Sequence, residues 1–513
     1  MSRRIDRVAR SEQVTPPRGS GTALRDERVL LVDLNIFANF PTLAIGILAA
    51  SLRNAGIDTE VLSPLAFDAP AAERERQETL ADHLMRRVHL ADLPGTAGIR
   101  DLARRARAGH LERPGTVVMR EVTRALARGP RIVLLSAYLQ QFATVRAIAA
   151  AAKARGIFVL LGGPMFNRGE VADQWRRIDG VGAVVGAEMD RDIGPLVRAI
   201  LSGANLLDFP GVVLPDGSRS QAAPPLRPLE DVPIPDFRDF PWDRYPARIV
   251  PVMTGRGCQW DSCTFCSDII SVSGRTFRTR SVESVLLEMQ EQARRHATSN
   301  FLFLDLKLNS WPGMIRGIAG SLGKYVQGAE WVGTVHVDQR PDNGLSRADL
   351  ELAVEGGMRR VSFGLESGSQ RMLDAMRKGC TVERNGRFLI DAHEAGLSVR
   401  CTMFKGYPGE TAADMEATAD FLEAHAHAID RIRFNDFTLT PGTAIWDAVT
   451  RSDPDAATLQ VRRIDQRRGR SLYERHGDRS KAYRRAKARA LRIVYQINRQ
   501  PLRDAARQFD GLM

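Results

Sequence analysis

Three of the five cysteines of this 513-residue chain fall within nine residues, at Cys258, Cys263 and Cys266. Thiolates hold iron–sulfur clusters, and a cubic 4Fe-4S cluster needs four ligands, so three cysteines leave one iron open. Two glycines precede the triplet and allow a loop to fold tightly around a bulky inorganic group. A zinc knuckle or a chance cluster is the competing interpretation. Zinc takes four ligands, and the next histidine is His296. The triplet therefore favours an iron–sulfur cluster.

The rest of the composition indicates a cytoplasmic protein without disulfides. Few cysteines lie outside the triplet, which is typical of a reducing compartment. Residues 1–27 are basic and lack an apolar core, so we expect a disordered N-terminus and neither a signal peptide nor a membrane anchor. The longest apolar run, at 43–52, is too short to cross a bilayer. We expect no membrane partner and no nucleic acid partner.

The first half of the chain alternates between buried-strand and helix patterns. Apolar runs that predict strands occur at 28–33, 59–62, 132–136, 158–161 and 183–185, and helical patterns occur at 43–55 and 144–155. This alternation predicts a doubly wound, Rossmann-like α/β domain over 28–221, with its ligand at the carboxyl ends of the strands. An Arg- and Leu-rich stretch at 71–128 is interpreted as an inserted helical segment.

A proline-dense linker at 222–246 marks the boundary of a second domain. Six further strand–helix units between 249 and 439 predict a partial (β/α)6 TIM barrel over 247–450, with chemistry at the carboxyl ends of its strands. The last region, 451–513, holds 17 Arg and Lys against 7 Asp and Glu and is expected to be helical. We favour a solvated basic face for this region; an anionic partner is the alternative.

Two motifs in the second domain follow the cysteines in a recognisable order. One is Gly-Leu-Glu-Ser-Gly-Ser at 364–369, with a Met-Arg-Lys-Gly run at 376–379, and the other is Gly-Tyr-Pro-Gly-Glu-Thr at 406–411. Together with the triplet they resemble the radical S-adenosylmethionine (SAM) enzymes. The usual spacing in that superfamily is C-x3-C-x2-C with an aromatic residue before the last cysteine. This chain has C-x4-C-x2-C, and Phe265 is the aromatic residue.

The resemblance implies a 4Fe-4S cluster held by the three cysteines and SAM bound beside it. The residues expected to bind SAM are Phe265, Asp305, Glu366, Ser367 and Lys378. Simpler explanations exist for three of them. Glu366 could be a carboxylate at a helix N-terminus, Asp305 a strand-end cap, and Lys378 a solvated cation. The remaining cysteines, Cys380 and Cys401, are interpreted as small core residues.

The first domain resembles the cobalamin-binding domains, in which a serine after one strand and a Gly-Gly pair after the next line a slot for the nucleotide tail. Ser136 and the pair Gly162–Gly163 match those positions. The resemblance implies a cobalamin site made by Ser136, Tyr138, Leu139, Gln140, Gly162, Gly163 and Glu188.

One motif of the methionine-synthase type of cobalamin domain is altered. That type carries D-x-H-x-x-G, whose histidine ligates cobalt, whereas this chain reads Asp33-Leu34-Asn35-Ile36-Phe37. Cobalamin is therefore expected to bind base-off without a histidine ligand. If a ligand exists, His83 and His89 in the inserted segment are the first candidates.

The order of the two domains resembles the cobalamin-dependent radical SAM enzymes. The resemblance implies a methyltransferase that acts on an unactivated carbon of a natural-product or peptide intermediate, through a 5′-deoxyadenosyl radical and methylcobalamin. It also implies an electron donor of the flavodoxin or ferredoxin type. No acid–base residue is required for the methyl transfer. The alternatives are a cyclase, ring-rearranging or oxidising enzyme without methyl transfer, a radical methylthiotransferase, and a non-catalytic cobalamin sensor. No cysteine precedes Cys258 to hold the second cluster of a methylthiotransferase.

Overall fold

The computed structural model describes residues 28–34, 39–64, 77–90, 113–267 and 277–512, and within them it contains two six-stranded sheets and two short antiparallel pairs. The strands are β1 Val29–Asp33, β2 Thr59–Leu62, β3 Ile132–Ser136, β4 Phe158–Gly162, β5 Ala183–Val185, β6 Val212–Val213, β7 Val250–Val252, β8 Gly255–Arg256, β9 Arg278–Thr279, β10 Asn300–Phe303, β11 Glu330–Val335, β12 Met358–Glu366, β13 Ser398–Lys405, β14 Arg431–Asp436, β15 Leu459–Asp465 and β16 Arg470–Arg475. The helices are α1 Leu43–Asn54, α2 Leu80–His89, α3 Thr116–Leu126, α4 Phe142–Lys153, α5 Gly169–Trp175, α6 Ile193–Ser202, α7 Val282–His296, α8 Pro312–Tyr325, α9 Arg347–Glu355, α10 Gln370–Ala375, α11 Val382–Glu394, α12 Ala412–His425, α13 Ala444–Thr450 and α14 Lys481–Asn498.

The first sheet has the strand order β2-β1-β3-β4-β5-β6 and is parallel except for β6. Its strands are apolar on both faces because both faces are covered. Leu31 of β1 shares a core with α1 and α6, whereas its neighbour Leu30 shares a core with α3, α4 and α5. The doubly wound domain predicted from the sequence is confirmed.

The second sheet has the order β14-β13-β12-β11-β10-β7, and all five neighbouring pairs are parallel. The first strand, β7, pairs with only one neighbour, as does the last strand, β14, so the barrel is open on one side. This confirms the partial (β/α)6 barrel. Functional side chains are expected at the carboxyl ends of these strands, where the loops of such barrels carry the chemistry.

The proline-rich linker packs into the junction between the two domains. Phe237 is fully buried, against Gly46 of α1 on one side and the His296 ring at the end of α7 on the other. The Asp236 amide donates to the Gly46 carbonyl at 2.8 Å, and the Asp236 carboxylate binds Arg53 of α1 at 2.7 Å. At Asp236 and Phe237 the linker therefore packs against both domains.

The helical prediction for residues 451–513 is confirmed for α14 and wrong for 459–475. There, β15 and β16 form an antiparallel hairpin whose turn is Gln466–Gly469. The strands show partial alternation, with half-buried Val461 and Tyr473 opposite each other. Six arginines between 462 and 475 obscure this alternation in the sequence.

Helix α14 packs along the edge strand β14 of the barrel. The side-chain amide of Asn498 accepts from the Ile432 amide at 2.7 Å and donates to the Ile432 carbonyl at 2.8 Å, which covers the open edge of β14. The inserted helix α2 docks on α14, because Lys487 donates to the Leu90 carbonyl at 2.8 Å and the His83 ring lies 4.7 Å from the Tyr495 ring. Within the described part of the insertion, α2 thus packs against α14.

The end of the chain closes the bottom of the barrel. Two buried arginines on neighbouring strands, Arg360 and Arg400, donate to the Phe509 and Leu512 carbonyls at 2.8 and 2.9 Å. Phe509 and Leu512 pack under the barrel with Ile249, Leu302 and Val332. The basic C-terminal region is therefore an integral part of the second domain. None of the helices in the described ranges combines the length and the hydropathy needed to cross a bilayer.

Candidate active site between the two domains

The carboxyl ends of both parallel sheets open into one cavity of about 500 Å³. Its walls on the side of the first domain include Asp33, Ser136 and Gly162 at the ends of β1, β3 and β4. Met253, Arg256 and Leu304 line it from the barrel side. The carboxyl ends of the two sheets therefore face each other across one shared space.

The cysteine triplet lies on the loop that follows β7. Cys258 and Cys266 are half-buried and Cys263 is buried. The loop is held from both sides, because the Thr264 amide donates to the Met376 carbonyl at 3.0 Å and the Thr264 hydroxyl lies 2.7 Å from the Tyr407 hydroxyl. Among the described residues, no group of three or more His, Cys, Asp or Glu side chains is arranged to bind a single metal ion.

Trp260, inside the cysteine loop, fastens the loop to the segment after α10. Its indole N–H donates to the Arg377 carbonyl at 2.9 Å, and a Cβ added to Gly379 would lie 1.8 Å from the indole ring. Gly379 also has a φ of +68°, which a side chain would strain. The sequence did not single out Trp260 or explain Gly379, because their contact joins segments more than a hundred residues apart.

Glu366 and Lys378 form a buried ion pair at 2.9 Å beside the cysteine loop. Glu366 has a φ of +59°, and any Cβ on Gly364 would lie 2.2 Å from its carboxylate oxygen. Burial disfavours the Lys378 charge, but the nearby Glu366 and Cys263 outweigh it and raise the Lys378 pKa. The explanations of a helix N-terminal carboxylate and a solvated cation are both wrong. Lys378 lies 5.7 Å from the centre of the Phe265 ring, so these three predicted SAM residues are brought together.

The two other predicted SAM residues make structural contacts. Asp305 is buried and accepts hydrogen bonds from the Thr254 hydroxyl at 2.6 Å and amide at 3.0 Å and from the Gly255 amide at 2.9 Å. Burial raises the Asp305 pKa to about 6, against these hydrogen bonds. Asp305 thus serves as a strand-end cap that holds the start of the cysteine loop. Ser367 is buried 3.2 Å from the Thr418 hydroxyl. A contact of either residue with SAM stays a prediction.

Further polar side chains at the barrel mouth were missed by the sequence analysis. Lys307 and Asp338 form a fully buried ion pair, and Arg340 binds the same carboxylate at 2.7 Å. Buried His336 is 6.1 Å from the Trp260 ring, and its Nε2 has no hydrogen-bond partner in the described structure. Burial, with help from the nearby lysines, lowers the His336 pKa well below its usual value. Lys307, His336 and Asp338 lie just past β10 and β11, so the strand-end rule could have found them.

In the first domain, five of the predicted cobalamin residues line the cavity: Ser136, Tyr138, Gly162, Gly163 and Glu188. Gly163 has a φ of +151°, and a Cβ there would lie 2.2 Å from the Ala137 carbonyl oxygen. A Cβ added to Gly162 would lie 3.9 Å from its nearest neighbour, the Val185 carbonyl oxygen. Of the two positions, only Gly163 therefore requires glycine for the observed backbone conformation.

The remaining cobalamin predictions fall outside the cavity wall. The Leu139 side chain is buried beside Gly469 of the hairpin turn, and Gln140 does not line the cavity. Asn35 lies outside the described residues. His83 packs on α14 and His89 is exposed. No histidine is among the described residues that line the cavity.

A parallel α/β domain thus faces an open parallel barrel, which carries three cysteines on the loop after its first strand. Residues 252–422 match the family model of the Radical SAM superfamily. The barrel of this chain is a radical SAM domain.

Two curated relatives illustrate the range of similar proteins. An uncharacterized methyltransferase from Pyrococcus horikoshii is 31% identical over 302 residues, which cover 57% of this chain and 62% of the relative. The anaerobic magnesium-protoporphyrin IX monomethyl ester cyclase from Rubrivivax gelatinosus is 26% identical over 251 residues, which cover 46% and 44%. The chain thus spans less than two thirds of the length of either relative.

Two solved structures share the fold across both domains. The cobalamin-dependent SAM radical enzyme OxsB, solved with aqua-cobalamin and SAM, superposes with a TM-score of 0.65 at 15% identity, over 88% of this chain and 64% of OxsB. The radical SAM methyltransferase TsrM from Kitasatospora setae, solved with cobalamin and a 4Fe-4S cluster, gives 0.63 at 16% identity, over 91% of both chains.

Proposed function

We propose that this protein is a cobalamin-dependent radical SAM methyltransferase that modifies an unactivated carbon of a natural-product or peptide intermediate. The observation that carries the proposal is the shared cavity. The Gly163 turn lines this cavity of about 500 Å³ from the first domain, and Arg256, two residues before Cys258, lines it from the barrel. The relative named as a methyltransferase and the cobalamin-bound solved structures support this proposal.

The residues at the barrel mouth fit the cluster and SAM. Cys258, Cys263 and Cys266 would hold three irons through thiolates, and Lys378 lies close enough to Cys263 to oppose the burial that raises its pKa. Lys378 and Glu366 offer one cation and one carboxylate to the charged amino-acid end of SAM. When bound, the cluster and SAM supply a 5′-deoxyadenosyl radical, and methylcobalamin supplies the methyl group.

The slot in the first domain fits a large ligand by shape. Gly163 keeps the turn after β4 flat where any side chain would meet the Ala137 carbonyl. Asp33 and Ser136 end neighbouring strands at the same cavity wall. Since no described cavity residue is a histidine, we propose that cobalamin binds base-off without a histidine ligand. A base-off electron paramagnetic resonance spectrum without nitrogen splitting is expected, and three-line splitting would contradict this.

The chain's own residues contribute orientation and exclusion of water. Trp260 and Thr264 fix the cysteine loop, and the linker seals the junction on the α1 side. No side chain is required to move a proton during methyl transfer. We propose a small-molecule or peptide substrate, a flavodoxin- or ferredoxin-type electron donor and a cytoplasmic location.

The test is anaerobic reconstitution with iron, sulfide and methylcobalamin, followed by incubation with SAM that carries a deuterated methyl group. We expect about four irons per chain, one cobalamin, formation of 5′-deoxyadenosine and transfer of deuterated methyl to substrate. Replacing Cys258, Cys263 and Cys266 by alanine should abolish 5′-deoxyadenosine. Cys380→Ala and Cys401→Ala are matched controls, because both thiols are buried core groups. Retained SAM cleavage in the triple variant would refute the proposal.

A second candidate is a cyclase or oxidising enzyme without methyl transfer, which the relative named as a cyclase supports. The same reconstitution separates the two. Consumption of substrate with 5′-deoxyadenosine but no deuterated methyl in the product would favour the second candidate.

A further inference from the structure

Two arginines face each other at the base of the cysteine loop. Arg256 in β8 and Arg278 in β9 are directly opposite in the antiparallel pair that opens and closes this loop. Their side chains are only 15% and 8% exposed. Like charges directly opposite each other destabilise a strand pair, and water cannot screen these two. The base of the loop therefore needs acidic groups from elsewhere.

Those groups come from the other domain. Asp190 binds the Arg256 guanidinium through two hydrogen bonds of 2.9 and 2.5 Å. Glu188 binds Arg278 through two hydrogen bonds of 2.6 and 3.1 Å and lies 3.2 Å from Arg256. Although burial opposes the charge on Glu188, the two arginines lower its pKa. Two carboxylates from the first domain thus neutralise two cations of the barrel.

Glu188 joins three parts of the molecule. It follows β5 and lines the cavity, so it belongs to the wall of the proposed cobalamin slot. Its carboxylate also accepts from the Leu226 amide in the linker at 2.7 Å. Arg256 lines the same cavity and is two residues from Cys258. One carboxylate therefore connects the slot, the linker and the base of the cysteine loop.

We infer that Glu188 is a positioning residue. Its carboxylate forms part of the slot wall and, through Arg256 and Arg278, fixes the position of the cysteine loop relative to the cobalamin slot. The inference rests on the proposed function, since it gives the distance between the two cofactors a structural origin. The inference also requires that a change in the conformation of the slot alters the conformation of the cysteine loop, and the reverse, because both are bound by the same carboxylate.

The first arm of the test uses the chain without cofactors and measures hydrogen exchange of the β8 and β9 amides. In Glu188→Gln, exchange should rise at least about tenfold, because removal of one partner leaves buried arginine charge uncompensated. The double variant Glu188→Gln/Arg278→Gln should recover most of the protection, since the second change removes the repulsion with Arg256. A space-filling role for Glu188 predicts no such rescue. Arg191→Gln is the matched control: it breaks a half-exposed pair with Asp231 in the same connection after β5.

The second arm uses the loaded protein and measures the distance distribution between cob(II)alamin and the reduced cluster by pulsed electron paramagnetic resonance. We expect one narrow distribution in the wild type and in Arg191→Gln, a broader one in Glu188→Gln, and narrowing again in the double variant. Near-wild-type iron content would show that the single variant is folded.

The outcomes are separable. Unchanged amide exchange in Glu188→Gln, or no rescue in the double variant, would overturn the positioning role. If the wild type fails to bind cobalamin, the proposed function fails and the first arm alone decides whether Glu188 orders the loop.

Discussion

The barrel mouth and the slot in the first domain differ in the kind of side chains that line them. The barrel mouth holds two buried ion pairs, Glu366–Lys378 and Lys307–Asp338, beside the cysteine loop. The slot in the first domain is lined mainly by apolar strand ends and by the glycine turn at Gly163. Of its carboxylates, Glu188 and Asp190 are already bound by arginines.

This difference matches what each of the two regions is proposed to hold. A small zwitterion is recognised by charge, so the barrel retains ionised side chains where desolvation is costly. A macrocycle is recognised by shape and area, so the slot needs flat backbone and few charges. Changes of charge should therefore damage the barrel site most, and changes of volume should damage the slot most.

The largest effect is expected for Lys378→Met. It leaves the Glu366 carboxylate buried without its partner at 2.9 Å, and such a loss costs about 3–5 kcal/mol. The free energy of unfolding in urea should fall by that amount, and SAM binding measured by calorimetry should be lost. Lys153→Met is the control, because that lysine binds Asp179 on the exposed surface. Equal losses in both variants would mean that burial of the Glu366–Lys378 pair is irrelevant.

The next effect concerns the pH dependence of stability. Burial raises the Asp305 pKa to about 6 from an ordinary value of 3.8. The folded chain then binds this proton more tightly than the unfolded chain does, so the contribution of Asp305 to stability falls as pH rises from about 4 to about 6, by about 2–3 kcal/mol in total. Urea unfolding of the cofactor-free chain, compared with Asp305→Asn, should show this slope only in the wild type. Parallel pH profiles would contradict the burial argument.

A change of volume should separate the two glycines of the slot. Gly163→Ala places a Cβ 2.2 Å from the Ala137 carbonyl oxygen at a φ of +151°, whereas Gly162→Ala meets nothing closer than 3.9 Å. Overpacking of this kind costs about 1–3 kcal/mol, so the free energy of unfolding should fall by that amount in Gly163→Ala only, and the displaced turn should weaken cobalamin binding. Iron content should stay unchanged in both. Equal affinities, measured by equilibrium dialysis, would show that the turn is not part of the slot.

The smallest effect is expected where neither site is touched. Tyr473 of the hairpin donates to the Phe437 carbonyl at 2.5 Å, and Tyr473→Phe removes one hydrogen bond worth about 1 kcal/mol. Hydrogen exchange in β15 and β16 should speed up, while iron and cobalamin binding stay at wild-type levels. Leu472→Ala, on the exposed face of the hairpin, should change neither. Loss of a cofactor in Tyr473→Phe would mean that the hairpin belongs to one of the sites.

Local patterns in the sequence were sufficient to predict most of the strands and helices and the fold of each domain. Apolar runs such as 28–33 and 132–136 predicted parallel strands because both faces of such strands are buried. The spacing of the cysteines and the Gly-Leu-Glu-Ser motif placed the candidate chemistry at strand ends. The hairpin at 459–475 was missed because arginines fill its exposed positions, and charge hides the alternation of a strand.

Only the tertiary structure decided which side chains pair. Glu366 and Lys378 are close in sequence, yet their burial together depends on the end of β12 lying beside the cysteine loop. Glu188 and Arg278 are ninety residues apart, and nothing local predicts that their charges meet. Periodicity is a property of one element and can be read along the chain. The pairing of buried charges depends on where two elements meet in space, which packing of the whole molecule determines.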